Sequence, residues 1–140
     1  MAKSNQVDLS VIIPIHDEEG NIELLYRELK EVLKPIKKYE ILLVDDGSKD
    51  RTLELISNMA KGDKSVKVIS LKSNYGQSIA LRAGLDASKG EKIITLDGDG
   101  QHDPKYILDY YKKLDEYDVV CNHRKNNKKA ITPIGNFLIK

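Results

Sequence analysis

Two aspartates one residue apart, Asp97 and Asp99, are the side chains of this sequence best suited to chemistry. They follow an apolar run at residues 92–96. In extended backbone, residues i and i+2 point to the same side, so both carboxylates can converge on one cation. Hard oxygen ligands with open positions suit Mg²⁺ or Mn²⁺ held jointly with substrate phosphates. Asp-x-Asp is also common in surface turns, so the value of this pair depends on what lies beside it.

Four polar clusters follow the apolar runs of the chain. They occupy residues 14–19 (PIHDEE), 45–48 (DDGS), 72–77 (KSNYGQ) and 97–102 (DGDGQH). Ligands of an open parallel sheet bind outside the carboxyl ends of its strands. If the apolar runs are parallel strands, all four clusters lie on one edge of the sheet. We therefore expect them to form a single site.

Each cluster also has an ordinary structural interpretation. Ser48 or Asp50 could cap the next helix by accepting its free N–H groups. Glu18 could simply favour the positive end of the following helix. The N–H groups that open the helix after Asn74 suit a phosphate or a ribose, or need only a cap. Two adjacent acids repel each other and a cap needs only one, which favours a functional role for Asp46.

The spacing of apolar residues predicts alternating strands and helices. Strands are predicted at 9–13, 41–44, 66–71, 93–96 and 119–121, and helices begin near residues 22, 53, 76 and 104. The third helix is predicted over 76–88, with Ile79, Ala83 and Ala87 on one face and Gly90 as its left-handed cap. Strands that are apolar on both faces and joined by single helices indicate an α/β fold, a mostly parallel sheet covered by helices on both sides.

Composition limits the protein class. The 140 residues suffice for one domain or part of one, and the formal net charge of +1 argues against a general nucleic-acid binder. The one cysteine, Cys121, excludes an internal disulfide and is expected to be a buried structural thiol. The sequence has neither a signal-peptide core nor an apolar run of about 20 residues, which favours a cytoplasmic protein.

The chain divides into three predicted parts. Residues 1–7 form a polar tail, 8–124 form the core, and 125–140 form a basic loop and the start of an amphipathic helix from Pro133. The pattern stops at Lys140 in the middle of that helix. We therefore expect a fold truncated at its C-terminus, with an incomplete second half of the site.

Taken together, the motifs resemble family 2 glycosyltransferases of the GT-A (Rossmann-like) fold. The resemblance is greatest to dolichol-phosphate mannose synthases and bacterial polyprenyl-phosphate glycosyltransferases, and it covers about residues 8–139. The matching segments are residues 10–14 (SVIIP), 44–48 (VDDGS), 74–76 (NYG), 83–85 (AGL) and 97–104 (DGDGQHDP).

The resemblance implies a role for individual residues. The nucleoside and donor pocket would be lined by Pro14, His16, Glu18, Val44, Asp46, Asn74 and Gly76. Asp97 and Asp99 would hold Mg²⁺ or Mn²⁺ on the diphosphate, with Gln101 beside them. Arg124 would meet a phosphate or the acceptor, and Lys128 and Thr132 would lie near the donor and acceptor phosphates. His16 stands where the family often has an aromatic residue, and it could still stack on a base.

The implied reaction is inverting transfer of a sugar from GDP-mannose or a UDP-sugar to a polyprenyl or dolichyl phosphate at the cytoplasmic face of a membrane. The alternative is a non-catalytic nucleotide-sugar-binding module that needs a partner chain, a second copy or a missing C-terminal half. A phosphoacceptor signalling domain is disfavoured, because its acid pair would follow the first strand. A dinucleotide-binding fold or a nucleotidyltransferase would need a glycine-rich loop there, which residues 14–20 lack.

Overall fold

The computed structural model describes residues 6–99, 103–121 and 137–139. The strands are β1 (Val7–Ile15), β2 (Tyr39–Asp45), β3 (Val66–Ser70), β4 (Gly90–Thr95), β5 (Val119–Cys121) and β6 (Phe137–Ile139). The helices are α1 (Ile22–Val32), α2 (Thr52–Gly62), α3 (Gln77–Ala87) and α4 (Ile107–Lys113). A single 3₁₀ turn, Pro104–Tyr106, leads into α4.

The strands form one sheet in the order β3-β2-β1-β4-β6-β5. β1 pairs in parallel with both β2 and β4, and β2 pairs in parallel with β3. β6 is antiparallel to β4 and to β5. The chain order reverses between β1 and β4, which makes their carboxyl ends the topological switch point where such sheets bind ligands.

Alternation along β1 creates a core on each face of the sheet. Leu9, Val11 and Ile13 are fully buried in the cluster that also contains residues of α1, α2 and α4. Ile12 points the other way and packs in the cluster that contains Ala80 of α3. Because successive strand side chains point to opposite faces, one apolar strand serves both layers of helices.

Helix α3 lies unusually close to the sheet. A Cβ atom at Gly84 would lie 2.4 Å from Cγ2 of Ile12 and 3.2 Å from Cγ2 of Val44. The buried residues of α3 are Ala80 and Gly84, so small side chains set this short distance. Helix α3 is thereby packed closely against β1 and β2.

The predicted helix from Pro133 is wrong at Phe137–Ile139, which form strand β6. Residues 133–136 lie outside the described residues. β6 bridges β4 and β5, so pairing with two distant strands outweighs the local helical pattern. The division of the chain into a tail, a core and a C-terminal loop stays a prediction.

Three smaller predictions also differ from the structure. Gly90 begins β4 and is not a left-handed cap; α3 ends at Ala87, and the following Ser88 is extended. Ile79 is 52% exposed, because the buried stripe of α3 passes through Ala80 instead. Cys121 is exposed, since it lies on β5 at the edge of the sheet. Each difference depends on what packs against the element, which local spacing does not reveal.

The helices in the described ranges include none with the length and apolar character required to cross a bilayer.

Candidate functional site

A cleft of about 320 Å³ lies beside the carboxyl ends of β1, β2 and β4. The loops that follow β1, β2, β3 and β4 all contribute to it, as expected for the four polar clusters. Its lining residues are Pro14, Ile15, His16, Glu18, Asp46, Asn74, Gly76, Gln77, Asp97, Gly98 and Asp99. This is the switch point of the sheet, so the fold and the polar clusters indicate the same place.

Asp97 and Asp99 both line this cleft, although the backbone turns at Gly98 and Asp99 rather than staying extended. Asp97 is half-buried, and Asp99 is exposed. Gly98 is buried, and a Cβ there would lie 3.2 Å from both the Pro14 carbonyl oxygen and Cγ1 of Ile15. A glycine therefore lets the acidic turn rest directly on the end of β1.

Asp97 accepts a hydrogen bond at Oδ1 from Nε2 of Gln77, at a distance of 2.8 Å. Gln77 is the first residue of α3, so the contact joins the start of that helix to the acidic turn. Sequence reasoning did not select Gln77 as a site residue. Its position at a predicted helix start, on the same sheet edge as Asp97, was the available signal.

The two adjacent acids at the end of β2, Asp45 and Asp46, have different environments. Asp45 accepts the N–H of Ser48 at 3.2 Å and so stabilises the turn. Asp46 lines the cleft, although it is only 4% exposed. Its Oδ1 accepts the N–H of Tyr75 at 2.8 Å, and its Oδ2 accepts the N–H of Gly76 at 2.9 Å. Asp46 therefore fixes the loop before α3 as well as facing the cleft.

Gly47 allows that loop to approach. Its φ is +67°, a left-handed conformation that side chains rarely adopt. A Cβ at this position would lie 2.4 Å from the carbonyl carbon of Ser73 and 2.5 Å from the nitrogen of Asn74. Only glycine therefore fits where the loops after β2 and β3 meet.

The ring of His16 is held from both sides. Nδ1 lies 2.8 Å from the carbonyl oxygen of Asp46, so Nδ1 donates. Nε2 lies 3.2 Å from Nδ2 of Asn74 and 3.2 Å from Oδ2 of Asp17. A neutral ring accepts from the Asn74 amide, whereas a protonated ring pairs with the Asp17 carboxylate. His16 thus fixes one wall of the cleft.

Most other polar residues of the loops after β1 and β2 bind each other. Backbone N–H groups of each loop donate to side-chain oxygens of the other, in both directions. The pairs, donor first, are Asp17 to Ser48, Glu18 to Thr52, Glu19 to Asp50, Lys49 to Asp17 and Arg51 to Glu19. These acids and hydroxyls lock two loops together, which accounts for much of the conspicuous polarity of the motif.

Asp50 also caps α2 in the way the sequence predicts. Its Oδ1 accepts the N–H of Thr52 at 2.9 Å, while its Oδ2 accepts from Glu19. Desolvation opposes the charged carboxylate, but hydrogen bonds from Thr52 and Glu19 keep the pKa of Asp50 below its ordinary value.

The described part of the cleft is strongly acidic. Glu18, Asp46, Asp97 and Asp99 contribute four carboxylates, and His16 is the one basic side chain among the lining residues. A bare diphosphate would be repelled here unless a cation stood between the charges. Within the described residues no group of three or more His, Cys, Asp or Glu side chains could hold a metal. One or two carboxylates are nevertheless the usual protein ligands of an Mg²⁺ or Mn²⁺ ion that is shared with substrate phosphates.

The structure brings together the predicted residues Pro14, His16, Glu18, Asp46, Asn74, Gly76, Asp97 and Asp99. Val44 is not among the residues lining the cleft, because its side chain is fully buried in the core beneath α3. Four predicted site residues lie outside the described residues: Gln101, Arg124, Lys128 and Thr132.

Comparison with protein families gives a clear match. Residues 10–136 match the family model described as glycosyl transferase family 2. The matched range includes every strand from β2 to β5 and all four helices. It also includes all the residues that line the cleft.

A curated relative from Pseudomonas aeruginosa (strain LESB58) carries the name undecaprenyl-phosphate 4-deoxy-4-formamido-L-arabinose transferase. It is 43% identical over a 132-residue alignment, and the match covers 91% of this chain and 39% of the relative. The chain thus spans about two fifths of the length of the curated relatives that it matches.

Solved structures share the architecture. Residues 1–349 of S. aureus TarS in complex with UDP are 25% identical, with a TM-score of 0.69 over 91% of this chain and 38% of that one. Glucosyl-3-phosphoglycerate synthase from Mycobacterium tuberculosis, in complex with Mn²⁺, UDP and glucosyl-3-phosphoglycerate, is also 25% identical. Its TM-score is 0.61 over 77% of this chain and 39% of that one. The α/β fold expected from the motifs, of the GT-A type, is confirmed.

Proposed function

This chain belongs to glycosyl transferase family 2, and we propose that it binds a nucleotide-diphosphate sugar in the cleft and transfers the sugar to a polyprenyl or dolichyl phosphate. The observation that carries this proposal is the grouping of Asp46, Asp97 and Asp99 around one cleft at the switch point of the sheet. The UDP complexes of two solved neighbours support a nucleoside diphosphate as the ligand class. GDP-mannose and UDP-sugars are the donors to test.

Asp97 and Asp99 would hold Mg²⁺ or Mn²⁺ against the diphosphate, with Gln101 as a further proposed ligand. The acidity of the cleft supports this assignment, because an anionic donor needs a counter-charge there. The Mn²⁺ in the Mycobacterium tuberculosis neighbour supports it independently. When bound, the ion would act as a Lewis acid that stabilises the charge of the departing diphosphate.

The proposed reaction makes one bond and breaks one. An oxygen of the acceptor phosphate bonds to the anomeric carbon of the sugar, while the bond from that carbon to the donor diphosphate breaks and its electron pair leaves with the nucleoside diphosphate. In-line attack inverts the anomeric centre. A phosphate monoester has a second pKa of about 6, so the nucleophile is already ionised and needs no strong base.

A polyprenyl phosphate is the acceptor class favoured by the name of the Pseudomonas aeruginosa relative. Because such an acceptor is a membrane lipid, the protein would act at the cytoplasmic face of a membrane. Arg124, Lys128 and Thr132 are the residues we propose to meet the acceptor or the phosphates.

A second candidate is a nucleotide-sugar-binding module without turnover of its own. The observation that favours it is that the chain spans only 39% of the length of its Pseudomonas aeruginosa relative. Such a module would require a membrane partner chain or a second copy to complete the site. It would bind donor and metal but form no glycosyl lipid.

Calorimetry tests the metal-dependent nucleotide binding that both candidates require. UDP and GDP are titrated into the chain with Mn²⁺ and, separately, with EDTA, and the Asp99→Ala variant is measured beside wild type. We expect Asp99→Ala to weaken Mn²⁺-dependent binding by at least about tenfold, equivalent to 1.4 kcal/mol, because one of two metal carboxylates is lost. Asp109→Ala, which removes an exposed carboxylate on α4, is the matched control and should bind as wild type does.

Transfer is then assayed with radiolabelled GDP-mannose and UDP-glucose and a short polyprenyl phosphate. Formation of glycosyl lipid supports the transferase, whereas metal-dependent donor binding without product supports the binding module. Unchanged metal-dependent binding in Asp99→Ala would contradict both.

A further inference from the structure

We propose that Gln77 is a positioning residue that orients Asp97 for the metal-bound diphosphate; this inference rests on the proposed function. The side-chain amide of Gln77 donates from Nε2 to Oδ1 of Asp97 at 2.8 Å. Both side chains line the same cleft, so the contact is made within the site.

Gln77 is itself placed by a rigid support. The preceding Gly76 has a φ of +97°, and its N–H is bound by the carboxylate of Asp46. The N–H of Ala80 donates to the Gly76 carbonyl oxygen at 3.1 Å, which closes the first turn of α3. Gly84, one turn beyond Ala80, packs α3 tightly on Ile12 of β1. The first two turns of α3, which carry the Gln77 side chain, are therefore held at both ends.

A neutral amide is a suitable partner for a carboxylate that also has to bind a cation. A carboxylate offers about four acceptor positions, so a hydrogen bond from Gln77 does not by itself prevent Asp97 from ligating a metal. An amide donor fixes the orientation of the carboxylate without adding a positive charge that would compete with the ion. Partners of this kind change metal affinity by about 10- to 100-fold when they are removed.

Residues 75–77 also connect the two halves of the cleft. The N–H groups of Tyr75 and Gly76 bind Asp46 on one side, and the next residue, Gln77, binds Asp97 on the other. A displacement of this short segment would therefore be felt at both carboxylates. The hydrogen bond of Gln77 therefore links Asp97 to the segment that Asp46 binds.

The test replaces Gln77 with a side chain of similar size that cannot donate. Gln77→Met is compared with wild type and with Ser78→Ala, a substitution at the neighbouring exposed position. The affinity for Mn²⁺ is measured from the electron paramagnetic resonance signal of free Mn²⁺, in the presence of saturating UDP or GDP, whichever the wild-type chain binds. Nucleotide affinity in EDTA and the unfolding temperature are measured on the same samples.

We expect Gln77→Met to weaken Mn²⁺ binding by about tenfold, with nucleotide affinity in EDTA and the unfolding temperature within error of wild type. If Gln77 had only a structural role, the substitution would instead lower the nucleotide affinity in EDTA and the unfolding temperature. The inference is overturned if Gln77→Met binds Mn²⁺ with wild-type affinity. It is also overturned if the variant loses nucleotide affinity in EDTA by the same factor as it loses Mn²⁺ affinity.

The Asp97→Ala variant distinguishes the two levels of the argument. If Asp97→Ala loses Mn²⁺ binding and Gln77→Met does not, the proposed metal site stands and only the role of Gln77 fails. If wild type shows no metal-dependent nucleotide binding, the proposed function fails, and the role of Gln77 fails with it. The same holds if Asp97→Ala binds metal and nucleotide as tightly as wild type does.

Discussion

Asp46 illustrates how one carboxylate can serve the fold and a ligand together. It is nearly fully buried, and both of its oxygens accept backbone N–H groups from the loop before α3. A carboxylate retains further acceptor capacity beyond two such bonds. Asp46 can therefore shape the cleft and still accept a hydrogen bond from the nucleoside that we propose binds there.

For this single residue we predict that Asp46→Asn weakens UDP or GDP binding by about tenfold or more, equivalent to about 1.4 kcal/mol, both with Mn²⁺ and in EDTA. The amide has only one acceptor oxygen, so one of the N–H groups of Tyr75 and Gly76 loses its partner, at a cost of about 1.5–3 kcal/mol for a bond to a charged group. Calorimetry measures both affinities. Asp86→Asn, the same change on the exposed face of α3, is the control, and an effect of Asp46→Asn confined to the Mn²⁺ titration would contradict the prediction.

Among the elements, α3 and the residues just before it contact two acids of the site. Its first residue, Gln77, contacts Asp97, and the residues just before it are bound by Asp46. Gly84 determines how close the helix lies to β1 and β2. Because interiors are close-packed, a small outward shift of α3 would move the groups at its start.

Two helical glycines allow a matched test of this packing. In Gly84→Ala the new Cβ would lie 2.4 Å from Ile12, so we expect a loss of about 1–3 kcal/mol in the free energy of unfolding. At Gly62, the last residue of α2, a Cβ meets nothing within 4 Å. Gly62→Ala should therefore be neutral or stabilise the protein by up to about 1 kcal/mol. Urea unfolding measures both, and equal effects would contradict the close approach of α3.

For the whole molecule, buried and partly buried acids connect distant segments of the chain. Glu40 of β2 is 2% exposed and accepts hydrogen bonds from Ser10 of β1, Lys67 of β3 and the N–H of Lys89. Burial opposes its charged form, but the bonds from Lys67 and Ser10 hold the pKa of Glu40 below its usual value. Asp63 likewise has a lowered pKa: burial opposes its charge, and Lys30 and Ser65 outweigh that effect.

These lowered pKa values predict acid sensitivity. A group whose pKa is lower in the folded state contributes stability above its unfolded pKa, about 4.3 for a glutamate, and loses that contribution as the pH falls through the folded pKa. We therefore expect the free energy of unfolding to be steady between about pH 7 and 5 and to fall below about pH 4.5. Glu40→Gln should lose about 1–3 kcal/mol at pH 7, because a buried, charged acceptor of three hydrogen bonds is replaced.

Urea unfolding at pH 7, 5, 4 and 3 checks this expectation, and the acid slope of Glu40→Gln should be shallower than that of wild type. Glu31→Gln is the matched control, since Glu31 pairs with Lys34 on the surface and such pairs contribute little. Identical slopes in Glu40→Gln and wild type would contradict the role of Glu40.

Sequence alone determined the alternation of strands and helices and the polar clusters at the strand ends. It also identified Asp46, Asp97 and Asp99 as candidate site residues. Those features follow from local periodicity and turn chemistry, which a short stretch of chain carries by itself. Tertiary structure alone decided that Phe137–Ile139 pair with β4 and β5, that Val44 lies beneath α3 and that Cys121 is exposed at the sheet edge. It also decided that Gln77 reaches Asp97. Each of these outcomes depends on which distant segment becomes a neighbour, and local spacing cannot specify contacts between residues far apart in the chain.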